Sequence, residues 1–133
     1  MREILFKAKR INDGEWIEGC YLLSGGKHFI YTEYIEHYCM PVIIKAEIIP
    51  ETLCWPTELP DKNGNDIWEN DIVQYGAVAA VVKFGEYGNG NLGFYVDFPE
   101  KTNYRKDFSY WAKKVVVIGN AFDNQELLQE VLE

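Results

Sequence analysis

The sequence predicts a mainly β protein of the β-rich α+β class, with antiparallel strands that include a small SH3-like barrel and a short C-terminal amphipathic helix. Aromatic residues make up 15% of the 133 residues, and they favour strands because their large side chains pack well on a pleated surface. Runs of alternating apolar and polar residues recur along the chain, as strands with one buried face require. Turn-forming Gly, Asn and Asp residues separate these runs.

The first third of the chain predicts a β-hairpin and a third strand. Every second residue is apolar over residues 4–8, and after a turn that contains Gly14 an apolar-rich pattern resumes over residues 16–22. Residues 27–31 follow a second glycine-containing turn and predict the third strand. Residues 32–40 show no clean period of two, so the sequence leaves open whether this segment is irregular or a short helical turn.

The middle of the chain predicts a fourth strand and then a meander of three strands. Residues 42–49 should extend until Pro50, which has no N–H group to donate to a sheet. The glycine-rich residues 85–91 predict a hairpin loop within the meander. The order of an acidic start, a short turn, a Val-rich strand and an aromatic strand is typical of SH3-like barrels. The three strands of the meander are predicted over residues 71–75, 77–84 and 92–98.

The end of the chain predicts a loop over residues 99–107, a strand over residues 110–118 and a closing helix. Asp123 or Asn124 can cap this helix, and Asp123 forms a D-x-x-E capping box with Glu126. The apolar residues that share one stripe of the helix are Leu127, Leu128, Val131 and Leu132.

The length of the chain fits one domain, since 133 residues are enough to bury a sizeable core. An alternative division gives an N-terminal β lobe of about residues 1–56 and a C-terminal SH3-like β lobe with the helix, of about residues 57–133. No linker of domain-separating length marks a boundary between the two lobes.

The polar stretch over residues 61–71 predicts a tight corner near the centre of the chain. Asn63-Gly64 favours a type I′ turn, because both residues tolerate positive φ. The acidic residues Asp61, Asp66, Glu69 and Asp71 could form a carboxylate pair or a divalent metal site. Their spacing lacks the order of a calcium loop, however, and turn aspartates ordinarily accept backbone N–H groups. We therefore predict an architectural role, with Asp71 fixing its own turn.

The remaining sequence motifs predict no catalytic, cofactor-binding or metal-binding residues. No phosphate-binding glycine loop and no nucleophile elbow is present. His28, His37 and Cys39 could supply metal ligands, but a fourth ligand has no obvious source. The three cysteines, an odd number without CxxC spacing, predict buried free thiols at Cys20, Cys39 and Cys54.

Charge and hydropathy restrict the partners and the compartment. The formal net charge of −8 disfavours nucleic acid and anionic membranes, because phosphate groups are bound mainly by cationic side chains. No apolar run reaches the length of a signal peptide or a membrane span. Free cysteines are typical of a reducing compartment, so we expect a cytoplasmic protein.

One segment has the composition of a nucleic-acid surface. Between residues 101 and 114, cationic residues alternate with aromatic ones, and single-stranded nucleic acid is bound by cations for phosphates and rings for bases. The alternative is a solvated loop followed by a strand with its rings turned inward. The candidate binding residues are Lys101, Tyr104, Arg105, Lys106 and Trp111.

The central stretch also resembles a known family. Residues 57–73, TELPDKNGNDIWENDIV, resemble the "TGLxDKNGxxIYEGDIV" signature of YopX-like proteins, which are carried by bacteriophages and prophages. Matches to an opening hairpin, to "PETL" over residues 50–53 and to "VIGN" over residues 117–120 extend the resemblance from end to end. Two family glycines are replaced by Glu58 and Asn70. Because Asn tolerates a left-handed φ and Glu does so only at a cost, we expect the corner at Glu58 to be built differently.

The resemblance implies an origin and a fold but no reaction, since the family has no established biochemical activity. We expect a non-enzymatic phage accessory protein, without a cofactor, that binds another protein and also associates with itself as a homo-oligomer. Exposed strand edges and the amphipathic helix offer surfaces for this, although the helix could simply cover its own sheet. Single-stranded nucleic-acid binding through residues 101–114 is one alternative, and a metal-dependent enzyme that uses the acidic turn 61–71 is a weaker one.

Overall fold

The computed structural model describes residues 4–35 and 41–129, which form strands and a few short helices. The helices are α1 (Phe108–Trp111) and α2 (Glu126–Gln129), and 3₁₀ turns span Pro50–Thr52 and Glu100–Thr102. No helix within these residues has the length and apolar character needed to cross a membrane. The strands are β1 (Phe6–Lys9), β2 (Trp16–Ser24), β3 (Lys27–Ile35), β4 (Pro41–Glu47), β5 (Pro56–Pro60), β6 (Asp66–Trp68), β7 (Asp71–Tyr75), β8 (Val78–Tyr87), β9 (Asn91–Val96) and β10 (Val116–Asn120).

The chain divides into two compact units after Pro56. The first unit holds a four-stranded sheet in the order β1-β2-β3-β4, and the second holds a four-stranded sheet in the order β10-β7-β8-β9 together with the pair β5-β6. Neighbouring strands in both four-stranded sheets are antiparallel, which confirms the predicted mainly β class. The SH3-like barrel is not confirmed, because the sheets formed by the described residues do not close.

The core of the first unit lies on one face of its sheet. Alternation along the strands brings Ala8, Ile17 and Ile30 to this face, where they pack with Ile48. Gly19 lies on the same face at a point where a Cβ atom would approach the carbonyl oxygen of Tyr31 to 1.9 Å. Only glycine therefore fits at this position of β2.

The sheet of the second unit is covered on both faces. One face carries a large cluster that includes Val73, Val82, Phe98 and Trp111. The opposite face carries Ile72, Ala79 and Val81, against which Leu127 and Leu128 of α2 pack. The expectation that the terminal helix covers its own sheet is confirmed for these two leucines, whereas Val131 and Leu132 lie outside the described residues.

Residues 110–118 do not form the predicted strand. Phe108 and Trp111 stand three residues apart and are both buried, which is helical spacing. The N–H group of Ala112 donates to the carbonyl oxygen of Phe108 at 2.9 Å, so the segment turns as α1 and the strand β10 begins only at Val116. The apolar run before Gly119 correctly predicts a strand, whereas the aromatic residues that precede this run have helical spacing.

The β8–β9 hairpin is longer and β3 extends further than predicted. The loop of the β8–β9 hairpin is confined to residues 88–90 instead of the predicted 85–91, because Gly85 pairs with Gly93 and Tyr87 pairs with Asn91. Residues 32–35, which showed no clean period, continue β3, and residues 36–40 lie outside the described residues.

Glu58 adopts a left-handed backbone with φ of +66°, and Asn70 adopts one with φ of +72°. The expectation of a different corner at Glu58 is therefore wrong: the backbone holds the conformation that suits glycine even though the side chain disfavours it. The cost for an L-residue in this region is on the order of 1–2 kcal/mol. Packing and hydrogen bonds elsewhere in the second unit must offset it.

Replacing Glu58 by Gly should relieve this strain. We expect the Glu58→Gly variant to unfold with a free energy about 1 kcal/mol higher than the Glu58→Ala variant, since both lose the carboxylate but only Gly loses the Cβ atom. Glu86, an exposed residue of β8 without positive φ, provides the control. There the order should reverse, with Gly less stable than Ala by roughly 0.5–1 kcal/mol. Urea denaturation followed by Trp fluorescence measures all four variants, and the same order at both positions would contradict the prediction.

Candidate functional site

The carboxylate of Asp61 organises the central corner. Asp61 is only 3% exposed. Its Oδ1 atom accepts the N–H groups of Asn63 at 2.8 Å and Asn65 at 2.9 Å, and its Oδ2 atom accepts the N–H group of Val117 at 2.9 Å, 56 residues further along the chain. One side chain thus closes the corner between β5 and β6 and fastens it to β10.

The type I′ turn predicted at Asn63-Gly64 is wrong, although the tight corner is present. Gly64 has a φ of +84°, but Asn63 is not among the residues with positive φ. A type I′ turn needs both. The N–H groups of Asn63 and Asn65 converge on the carboxylate of Asp61, so this carboxylate shapes the loop.

The pKa of Asp61 follows from the same contacts. Burial by itself would raise the pKa of this carboxyl group, but the backbone N–H groups of Val117, Asn65 and Asn63 outweigh burial and hold the pKa below its usual range. The charged form is therefore the one that the folded chain stabilises.

The other acidic residues of the corner do not assemble into a group that could hold a metal ion. Asp71 is buried and accepts the N–H group of Trp68 at 2.8 Å, which confirms that it fixes its own turn. Asp66 is exposed. Within residues 4–35 and 41–129, no group of three or more His, Cys, Asp or Glu side chains is placed to hold a metal ion. The two buried carboxylates of the corner therefore serve the backbone.

Of the histidine and cysteine candidates, the structure describes His28, Cys20 and Cys54. The hydroxyl group of Tyr21 forms a hydrogen bond with Nδ1 of His28, and His37 and Cys39 lie outside the described residues. Cys54 is a buried free thiol, as predicted, but Cys20 is an exposed one. The prediction is wrong for Cys20 because its position on β2 alternates away from the core.

The nucleic-acid candidates are occupied by contacts within the second unit. Arg105 forms a bidentate ion pair with Asp107 at 2.7 and 3.0 Å, and the hydrogen bonds from Arg105 lower the pKa of Asp107. The Nζ atom of Lys106 lies 3.5 Å from Asp97. Trp111 is 4% exposed and its Nε1–H group donates to the carbonyl oxygen of Arg105 at 2.7 Å.

A groove of about 520 Å³ lies beside these residues and is lined by Tyr87, Asn91, Tyr104, Arg105 and Lys106, among others. Lys101 is exposed and does not line it. Carboxylates already partner both cations of the groove, which leaves little free positive charge for a phosphate. Nucleic-acid binding through this segment stays a prediction.

The strand β4 presents an open edge in the first unit. The N–H group of Ile48 donates to the carbonyl oxygen of His28 at 2.9 Å, and the antiparallel register pairs Ile44 with Thr32. Hydrogen bonds in such a ladder alternate along a strand, so even-numbered residues of β4 bond to β3. Odd-numbered residues, among them Ile43 and Lys45, turn their N–H and C=O groups away from the sheet.

The open edge ends where the segment that follows β1 contacts it. The N–H group of Ile11 donates to the outward carbonyl oxygen of Glu47 at 2.9 Å. Within the part of the chain that the structure describes, the outward groups of Ile43 and Lys45 have no backbone partner. We use the term open edge for the outward backbone groups of residues 41–45.

An apolar surface adjoins the open edge. On the face of the first sheet opposite its core, which we call the outer face, Ile43 is 67% exposed. Its neighbours there are the exposed Glu33, which lies directly opposite on β3, the half-buried Tyr31, which pairs with the exposed Cys20, and Lys45, whose Nζ atom lies 4.5 Å from the centre of the Phe29 ring. A shallow pocket of about 340 Å³ is lined by Leu5, Cys20, Tyr31 and Ile43, among others.

The second unit covers β10 and the Val96 end of β9, whereas the outward groups of Leu92 on β9 have no backbone partner within the described residues. On β10, Val117 donates to Asp61 and the N–H group of Asn120 donates to Oδ1 of Asn124 at 3.1 Å. On β9, the N–H group of Val96 donates to the carbonyl oxygen of Lys106 at 2.9 Å. Since uncovered edges invite pairing with another chain, the open edge of β4 is the candidate functional site.

The sequence alone does not mark Ile43 and Lys45 as functional candidates. It predicted their strand, but it carried no signal for the position of that strand at the edge of a sheet. Edge position depends on which strands pair, and pairing between distant segments is not written in local alternation.

Replacing Asp61 by Asn should destabilise the second unit strongly. The amide group presents an N–H donor where an oxygen accepted backbone N–H groups, so we expect the free energy of unfolding to fall by about 2–4 kcal/mol at neutral pH. Asp66→Asn, in the same corner but exposed, should change it by less than about 0.5 kcal/mol.

The effect of Asp61 should also depend on pH. Because its pKa is lowered in the folded chain, the stabilisation is complete above the unfolded value of about 3.9 and is lost as the pH falls through the lower folded pKa. The stability difference between the wild type and Asp61→Asn, measured by urea denaturation, should therefore shrink from pH 7 to pH 3. A difference that does not change over this range would contradict the assignment.

A family model described as YopX protein matches residues 6–129. A search of curated proteins gave no match.

Proposed function

We propose that this chain, which belongs to the YopX family, is a non-enzymatic phage or prophage accessory protein that acts by binding another protein at the open edge of β4. The observation that supports the proposal is the set of outward N–H and C=O groups at Ile43 and Lys45. An added strand can pair with such groups whatever its side chains are. Affinity then comes from the backbone.

The outer face supplies the side-chain contacts that make such binding selective. Ile43 and Tyr31 offer apolar area beside the edge, and complete burial of an isoleucine side chain is worth about 1.5–3 kcal/mol. Interfaces combine an apolar centre of this kind with a polar rim. Lys45 and Glu47, at the end of β4, provide charged groups for that rim.

Ile43→Pro tests the edge directly. The N–H group of Ile43 points away from β3, so proline removes an outward donor without removing a hydrogen bond from the β3–β4 ladder. Ile43→Lys is a second variant that keeps the donor but adds a charge. We expect both variants to lose the bound protein in affinity capture from infected or lysogenic host cells, with the far-UV circular dichroism of the wild type retained.

Leu92→Lys is the matched control, since Leu92 is an apolar strand residue of the second unit that is 75% exposed. It should capture the same proteins as the wild type. Equal capture by Ile43→Pro and the wild type would overturn the proposed binding edge. Loss of capture by Leu92→Lys alone would move the site to the second unit.

A further inference from the structure

We infer that the open edge pairs with the open edge of a second copy of this chain, with the two β4 strands antiparallel and Ile43 at the two-fold axis. The inference rests on the proposed function, because it names the partner of the same site. An antiparallel edge is self-complementary under a two-fold axis, since each copy offers the same donors and acceptors in reverse order. The product is one continuous eight-stranded sheet, made of two four-stranded ones.

The length of the open edge selects the register. At one end Ile11 already occupies the carbonyl oxygen of Glu47, and at the other end β4 begins at Pro41, which has no N–H group. Residues 41–45 are therefore available, and Ile43 is their centre. Two copies of this segment pair along their whole length only when their centres coincide.

In this register every available donor finds an acceptor. The N–H group of Ile43 donates to the carbonyl oxygen of the partner's Ile43. The N–H group of Lys45 donates to the carbonyl oxygen of the partner's Pro41. The two-fold axis repeats both hydrogen bonds from the other copy. The exposed side chain of Ile43 is covered by the partner's Ile43. The two Lys45 side chains stay about 13 Å apart along the strands, at about 3.3 Å per residue.

Other registers conflict with groups on the same edge. If the two-fold axis moves by one residue toward Glu47, the partner's Pro41 lies opposite Glu47, where Ile11 is already bound. A shift of two residues places Lys45 directly opposite the partner's Lys45, and like charges in opposite positions destabilise a strand pair. A shift toward Pro41 shortens the paired segment.

The charge of the protein sets how the dimer should respond to salt. Each copy carries a formal charge of −8, so two copies repel each other at long range. The edge contact is small, and contacts of this size give weak association. We expect the dissociation constant to fall as ionic strength rises from about 0.01 M to about 0.15 M, because the screening length shortens from about 30 to about 8 Å.

Cysteine cross-linking tests the register. In a background of Cys20→Ser and Cys39→Ser, the Ile43→Cys variant should form a disulfide-linked dimer under mild oxidation, since residues in directly opposite positions have Cα atoms about 5.5 Å apart. The Lys45→Cys variant in the same background is the matched control. Its two thiols should lie about 13 Å apart, too far for a disulfide. Non-reducing electrophoresis and intact mass measure both.

Sedimentation velocity of the wild type and of the Ile43→Pro variant completes the test. A concentration-dependent dimer that Ile43→Pro abolishes, together with cross-linking at residue 43 and not at residue 45, supports the inference. Cross-linking of Lys45→Cys, or a dimer that persists in Ile43→Pro, overturns it. A monomer at all concentrations also overturns it, but leaves the proposed function standing if Ile43→Pro still loses its captured protein.

Discussion

The carboxylate of Asp61 is the interaction on which the second unit depends. It accepts N–H groups from its own corner and from Val117 on β10, so a local turn and a distant strand share one buried negative charge. A buried carboxylate without partners would be unstable in its charged form, and hydrogen bonds to a charged acceptor are the stronger kind. The corner, the pair β5-β6 and the edge of β10 therefore form together.

The two sheets differ in how their edges are treated. In the second unit, side chains cover the edge of β10, a loop carbonyl group covers the Val96 end of β9, and α2 packs on the second face of the sheet. In the first unit the edge of β4 stays open and the adjoining outer face carries apolar groups. Proteins ordinarily blunt such edges because these template unwanted pairing. We propose that the edge of β4 stays open because a partner strand pairs with it.

Much of the fold follows from local sequence, and the wrong predictions at α1 and Glu58 share one cause. The alternation of apolar and polar residues predicts the strands, and the prediction that Asp71 fixes its own turn is confirmed. Positions set by distant partners were missed: α1 forms because Phe108 and Trp111 must reach one core, and Glu58 takes a left-handed φ that its own preference opposes. The open edge of β4 is likewise set by distant partners, because it depends on the order of the strands and no residue within β4 indicates it.

The reach of Asp61 across 56 residues has a consequence for synthesis on the ribosome. The corner is translated before β10, the strand that completes its hydrogen bonds. Contacts between distant segments form slowly because the intervening chain must first be ordered. The hydrogen bonds of Asp61 in the second unit are thus incomplete until β10 has left the exit tunnel. The hydrogen bonds that close the first unit lie within residues 1–56 and can form while translation continues.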